Sequence, residues 1–353
     1  MKTGIIRLML AVLGSSLLAS CARKTEPPPP VQVEEEAVVA EPEIEEGPVR
    51  TAYRGDTPLR DIAIVPSPFA GVKSQTLVAV GESHTILRST DDGATWSPVA
   101  LRRPDAPDLS AVLFPNTDHG WILSRDQVLH SADRGATWTP AAVPERGFYY
   151  FGAISAVGSG CYLIQPPTCG ATVYRTDDGG AGWTALAGGL PRNDYGAVHF
   201  RNARRGWVVG AYGRFAFTGD GGATWQTKEF SSEMNFAELE MVTDEFGWMR
   251  ADRGHAGRLW LTRNGGADWT TVNLGVESYW SIVDVDFLDP QTGLALVQKG
   301  SDGSRVLLSR DAGATWAAWM DVKPVLTAMA FRDLERGWFT GADGRIYKTV
   351  PAP

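Results

Sequence analysis

TGDGGATW, running from Thr218 to Trp225, is one of six copies of a single phrase. The others are STDDGATW (Ser89 to Trp96), SADRGATW (Ser131 to Trp138), TDDGGAGW (Thr176 to Trp183), TRNGGADW (Thr262 to Trp269) and SRDAGATW (Ser309 to Trp316). The shared pattern places Asp91, Asp133, Asp178, Asp220, Asn264 and Asp311 five residues before Trp96, Trp138, Trp183, Trp225, Trp269 and Trp316. Successive Trp residues are 42, 45, 42, 44 and 47 positions apart. That spacing is about one four-stranded propeller blade, a unit that cannot bury its faces without neighbours. An Asp in a tight turn accepts backbone N–H groups ahead of it, and Gly supplies the positive φ. The Trp is then expected to drop back between sheets. Both roles are architectural and require no substrate.

Apolar runs precede each phrase: IAIV (62–65), LSAVLF (109–114), FGAISAV (151–157), YGAVHF (195–200), FAELEM (236–241) and IVDVDF (282–287), with a seventh, LTAMAF, at 326–331. Gly-Trp pairs follow at Trp121, Trp207, Trp248 and Trp338, with Gly293-Leu294 in the equivalent place of the sixth unit. Short β-rich runs between Gly, Asp and Asn turns describe an all-β chain. Seven inner runs and six boxes leave the last unit one strand short. VRTAYRG (49–55) lies before the first inner run with no unit of its own. It is expected to supply the outer strand of blade seven and close the ring. A six-bladed ring with irregular ends is the competing architecture. The expected domain spans 51–353.

Residues 1–20 read as a secretory signal: basic Lys2 and Arg7, an apolar stretch from Leu8 to Leu18, and the close Leu18-Ala19-Ser20-Cys21. That close resembles a bacterial lipobox and marks Cys21 as the acylated first residue of the mature chain, with palmitate-type chains as membrane anchor. Each buried CH₂ contributes about 0.8 kcal/mol, so two or more chains hold firmly. Ala22 rather than Asp after the Cys points, by the same resemblance, to the outer membrane of a diderm envelope, with either the periplasm or the exterior as the side it faces. Residues 21–50 form a disordered tether: Pro27 to Pro30 and eight Glu, among them Glu34, Glu35 and Glu36, leave little apolar surface to fold. Fully extended, such an arm reaches roughly 90 Å. With three basic residues it carries −5 of the chain's −8. The ring itself is only mildly acidic, which argues against a nucleic-acid partner. With Cys21 acylated, Cys161 and Cys169 remain. A disulfide between them would close a hairpin loop and contribute roughly 2–3 kcal/mol in an oxidising compartment; two free thiols, or half of a metal site, are the rival.

The phrase RRGWVVGAYGRFAFTGDGGATW (Arg204 to Trp225) combines a Gly-Trp strand with the box. It resembles the photosystem II assembly and stability factor family of Asp-box (BNR) repeat propellers, and the resemblance extends over 51–353. It implies a seven-bladed, non-enzymatic propeller that holds partner proteins during assembly, without naming the partner here. Sialidases share Asp boxes but carry an early Arg-Ile-Pro motif that is missing from this chain, where the nearest string is Arg345-Ile346-Tyr347.

Two groups of residues stand out as candidate sites. Alignment of the inner runs puts Ala63, Ala111, Ala153, Ala197, Glu238, Asp284 and Ala328 at one level, with His199, Glu240 and Asp286 two residues on. These carboxylates and the His are expected to share one sector of the central channel. Their readings are simple solvation, a cation or partner-cation socket, or an acid/base pair for glycoside cleavage. The loops leading into inner strands carry Arg146, Phe148, Tyr149, Tyr150, Arg192, Tyr195, Tyr279 and Trp280. Arg with aromatics is the composition of protein interfaces, and aromatic platforms also stack sugars. The five His residues (His84, His119, His130, His199, His255) show no metal-ligand spacing, and no phosphate-cradling glycine loop exists outside the repeats. The expectation is a monomeric, lipid-anchored envelope scaffold for a protein or complex, without cofactor or catalysis. A glycan-binding protein or divergent sialidase-like hydrolase is the alternative.

Overall fold

Seven antiparallel sheets, six four-strand meanders and one five-stranded sheet built from both ends of the chain, make up the computed structural model. It describes residues 45, 46 and 48–350, apart from 68–73, 102–106, 144–150, 166–170, 187, 189, 191–194, 231–233 and 252–257. Blades 1 to 6 have inner strands Leu59–Val65, Leu109–Leu113, Ala153–Val157, Tyr195–Phe200, Phe236–Met241 and Ser281–Phe287. Blade 7 begins at Leu326–Phe331 and lacks an outer strand from the C-terminal side. Val49–Tyr53 supplies it, pairing with Ile346–Thr349 through Val49↔Thr349, Arg50↔Lys348 and Thr51↔Tyr347. Glu45–Glu46 adds a short fifth strand through Glu46↔Val49. The ring is therefore seven-bladed and sealed by its N-terminal strand, which begins two residues before the expected boundary.

The boxes are built as their chemistry requires. In the first, the Ser89 hydroxyl donates to Asp91 Oδ1 at 2.7 Å, the Thr95 N–H donates to the same oxygen at 2.9 Å, and the Thr95 hydroxyl donates to Oδ2 at 2.6 Å. The Gly93 N–H returns to Ser89 Oγ at 2.9 Å, and Gly93 has φ +74°, which a side chain would strain. The fifth box swaps polarity. Asn264 Oδ1 accepts the Asp268 N–H at 2.9 Å, while Asn264 Nδ2 donates to Asp268 Oδ2 at 3.1 Å. Asn for Asp at one end is thus matched by Asp for Thr at the other.

The deepest rivets are not the box tryptophans. Of those, only Trp138 is fully buried; Trp96, Trp183, Trp225, Trp269 and Trp316 are half-buried. The Gly-Trp tryptophans, Trp121, Trp207, Trp248 and Trp338, are at most 1% exposed. Their indoles bury a large apolar area between blades. Two also reach the next blade's box: Trp207 Nε1 donates to Gly265 O at 3.1 Å, and Trp338 Nε1 to Asp92 O at 2.9 Å. The Gly before each Trp has a steric cause. A Cβ at Gly206 would lie 2.5 Å from the Phe200 ring, which ends the inner strand of the same blade. Blade 3 keeps the Gly and changes the Trp: Gly160-Cys161 holds this place, and Cys161 is fully buried.

Candidate functional site

Six inner strands carry a one-residue irregularity near their start, between Leu59/Asp61, Leu109/Ala111, Tyr195/Ala197, Phe236/Glu238, Ile282/Asp284 and Leu326/Ala328. These bulges mark equivalent positions in the six blades. They place Asp61, not Ala63, at the level of Glu238 and Asp284, which corrects the sequence alignment of blade 1.

The acidic residues at that level are tied to backbone or side-chain partners, although Asp61 and Glu238 also border the central cavity. Asp284 is fully buried, and its Oδ2 accepts the Met329 N–H of blade 7 at 2.8 Å. Asp61 is 3% exposed; its Oδ2 accepts the Val112 N–H of blade 2 at 2.8 Å and its Oδ1 the N–H of Ile62 at 2.8 Å. An inner strand has no neighbour on its channel side, so its outward N–H groups need acceptors. Side chains of the preceding blade supply them. Ser155 Oγ does so for Phe200 N–H at 3.0 Å, and Ser304 Oγ for Leu326 N–H at 2.9 Å. Glu238 faces a different partner. Its Oε2 accepts from Arg250 Nε at 2.7 Å, on the adjacent strand of its own blade, with side-chain exposures of 3% and 10%.

His199 also leaves the expected cluster. It is fully buried between blades 4 and 5, its ring 6.1 Å from Trp207. Neither ring nitrogen makes a hydrogen bond of normal geometry. Burial first, then the charge of Arg201, lowers its pKa to about 3, and the Met241 backbone offsets only part of this. It is a neutral core residue at ordinary pH. Glu240 and Asp286 remain at the channel. Both are half-buried and line a cavity of about 290 Å³ at the box end, with Ala63, Leu113, Ala330 and Arg332. Among the described residues, no group of three or more His, Cys, Asp or Glu is placed to hold a metal ion. Two of the His residues do meet: His119 Nδ1 and His130 Nε2 are 2.9 Å apart, and the His130 ring lies 4.4 Å from Trp121. Nothing in their sequence spacing marks this pair, because a β-turn and a blade edge bring them together.

Cys161 is a free thiol, and burial pushes its pKa up. It stands opposite Thr176, at the far end of the hairpin from Gln165↔Thr172, where the loop to Cys169 begins. The expected hairpin-closing disulfide depends on Cys169, which lies outside the described residues, as do Cys21, Arg146, Phe148, Tyr149, Tyr150, Arg192 and His255.

The rim residues divide. Tyr195 is 2% exposed and belongs to the core, not the surface. Tyr279 is 53% exposed with Lys299 Nζ 5.0 Å from its ring centre. Trp280 is half-buried beneath Arg305, whose guanidinium carbon is 5.0 Å from the ring centre and whose Nε donates to Asp321 at 2.5 Å. Alternating strand direction puts the entry loops of the inner strands and the turns between second and third strands on one face, opposite the boxes. Tyr212, in such a turn, is 57% exposed on the same face, a residue the sequence reading did not single out. It sits at φ 56° and its N–H donates to Asn235 Oδ1 at 3.1 Å, which fixes the turn that presents it.

Residues 59–190 and 192–279, more than half of the chain, match the family described as Photosynthesis system II assembly factor YCF48. The chain belongs to this family. A relative described as "Photosystem II assembly lipoprotein Ycf48" from Nostoc sp. (strain PCC 7120 / SAG 25.82 / UTEX 2576) is 26% identical over 308 residues, which cover 83% of this chain and 84% of that protein. Two solved structures share the fold. "YCF48 bound to D1 peptide" superposes with a TM-score of 0.64 at 19% identity, over 89% of this chain and 100% of the other. "YCF48 from Cyanidioschyzon merolae" gives 0.63 at 20% identity, over 86% and 98%.

Proposed function

We propose that this YCF48-family propeller is a lipid-anchored scaffold of the cell envelope that holds a protein client during assembly of a larger complex, without catalysis. The observation that carries this reading is the face opposite the boxes. Among the described residues, Tyr212 and Tyr279 are the exposed large hydrophobic side chains, and both lie on that face, Tyr279 with Lys299 over its ring and next in sequence to Trp280, which stacks under Arg305. Exposed Tyr with nearby cations is the composition of interface hot spots. The name of the Nostoc relative and the peptide bound by a structural neighbour support a protein client. The lipobox-like Leu18–Cys21 supports anchorage, with outer-membrane attachment following from Ala22. Against the carbohydrate alternative, Glu238 is bound to Arg250 and Asp284 to the Met329 N–H, which leaves Glu240 and Asp286 as its carboxylates at the channel.

The test is affinity co-purification from native membranes of wild type, Cys21→Ala, and a Tyr212→Ala/Tyr279→Ala double variant. The expected result is a near-stoichiometric protein partner, weakened in the double variant and absent from the membrane fraction with Cys21→Ala. Equal recovery by the double variant would remove this face from the interface. Binding or turnover on a glycan panel with no protein partner would overturn the scaffold reading.

A further inference from the structure

Outer strands of the blades are sheet edges, and an edge left long, flat and apolar is a template for another strand. Most edges of this ring are blunted. Blades 1 and 2 end in two-residue strands containing Pro98 and Pro140, which have no N–H to offer. Blade 3 ends in Thr184–Ala185, and blade 4 in the charged, fully exposed Gln226–Glu229. Blade 7 is covered by Val49–Tyr53 and Glu45–Glu46. Blade 5 ends in the short polar strand Thr270–Asn273. Blade 6 has the longest outer strand, the six residues Ala317–Val322; it begins Ala-Ala-Trp-Met with neither Pro nor Lys, bulges at Trp319 and carries the exposed Asp321. Trp319 and Met320 are half-buried and lean toward blade 7, where they pack on the cluster that contains Val49, Phe331 and Tyr347. Exposed cations flank this strand: Arg310, which lines a groove of about 260 Å³ with Trp316, Ala317 and Trp319, and Lys323.

We propose that the chain's own N-terminal arm occupies this edge, with Ala37-Val38-Val39-Ala40 adding as a fifth strand on blade 6. Three features select this occupant. The arm ends at Glu45 on the blade 7 edge, and Val49, four residues on, shares a hydrophobic cluster with Val322, Trp319 and Met320. Ala40 lies five residues before Glu45, a reach of about 17 Å. Residues 37–40 are uncharged and β-prone, whereas Glu34 to Glu36 on one side and Glu41 and Glu43 on the other match Arg310 and Lys323 in charge. The pairing would shorten the free tether to the residues before Ala37 and fix the side of the ring that faces the anchor.

Hydrogen exchange on the full-length mature protein in detergent tests this directly. Amides of 37–40 are expected to exchange at least about tenfold more slowly than those of residues 22–26, which the proposal leaves out of the added strand. Val38→Pro, which removes a donor and distorts the strand, is expected to erase that protection and to speed exchange along 317–320. Amides of Gly293–Gln298 in the middle of blade 6 report whether the ring stays folded in this variant. Lys24→Pro is expected to change nothing. Unprotected 37–40 in wild type, or 317–320 unaffected by Val38→Pro, overturns the proposal. Protection of 317–320 that grows with protein concentration alongside dimer mass assigns the edge to a second copy and overturns it equally.

Discussion

Asp61 Oδ2 accepts the Val112 N–H at 2.8 Å across the boundary between blades 1 and 2, and Asp284 repeats the bond to Met329 between blades 6 and 7. Both carboxylates are buried acceptors for the unpaired edge of the next inner strand. Asp61→Ala leaves that amide without its acceptor and is expected to cost about 1–3 kcal/mol. Asp61→Asn keeps an acceptor oxygen and is expected to cost less. Urea unfolding of the two variants checks the order; equal losses would mean that side-chain volume, not the hydrogen bond, is what matters.

Removing one partner of the Glu238–Arg250 pair strands a buried charge. Glu238→Ala is therefore expected to destabilise the ring by about 3–5 kcal/mol, whereas Glu238→Leu with Arg250→Met recovers most of the loss. Chemical denaturation of both variants measures the difference. A pair serving a ligand instead would show the double variant stable but unable to bind its client, so client capture is measured alongside.

Trp338 and Trp248 hold the same place in two blades but differ in one bond. Trp338 Nε1 donates to Asp92 O, whereas Trp248 Nε1 has no partner, and the corresponding carbonyl of Ala312 accepts from Arg263 Nη2 at 3.1 Å. Substitution by Phe removes similar volume from each. Trp338→Phe is expected to cost about 1 kcal/mol more than Trp248→Phe. Identical thermal midpoints for the two would contradict the assignment of that bond.

Two pH windows follow from the buried His and the boxes. His199 has a native pKa of about 3 against about 6.5 when unfolded. The unfolded chain alone takes up its proton, so this stability is complete above pH 6.5 and lost as pH falls below it. Asp220 and Asp311 are held at about 2, first by the hydroxyls of Thr224 and Thr315 and then by the same residues' N–H groups. Their contribution is present above about pH 4 and lost as pH falls toward 2. His199→Phe is expected to reduce the slope of stability between pH 6.5 and 4 by about 1.4 kcal/mol per pH unit, leaving the fall below pH 4 in place. His130, whose pKa is lowered by burial and then by His119, contributes in the same direction and keeps some slope in the variant. An unchanged slope in urea titrations at pH 7.5, 5.5 and 4.5 would show that His199 does not titrate on unfolding.

Blade count and ring closure were legible because each box repeats a local turn chemistry, and because VRTAYRG had no other place to go. The candidate channel cluster was not, for two reasons. A single bulge residue shifts every later side chain of a strand to the other face, and nothing in LRDIAIV shows where that residue falls. Burial is also invisible in a pattern. Glu238, Asp284 and His199 look like channel residues by position, yet Glu238 and Asp284 are held by partners on other strands and His199 is buried between blades 4 and 5. Tyr195 was misread for a related reason: as the first residue of a strand it belongs to the core, whereas Tyr279, two positions before its strand, stays outside.

The pairing of Val49 with Thr349 joins points about 300 residues apart, and bringing such ends together costs roughly 5 kcal/mol of chain entropy before any contact rewards it. Six blades can form from consecutive sequence as the chain emerges, but the seventh has to wait until both ends exist and find each other. The ring thus has a single seam, the last place to set and the first to part, and a cut or a pull at residues 45–53 acts on the whole circle rather than on one blade.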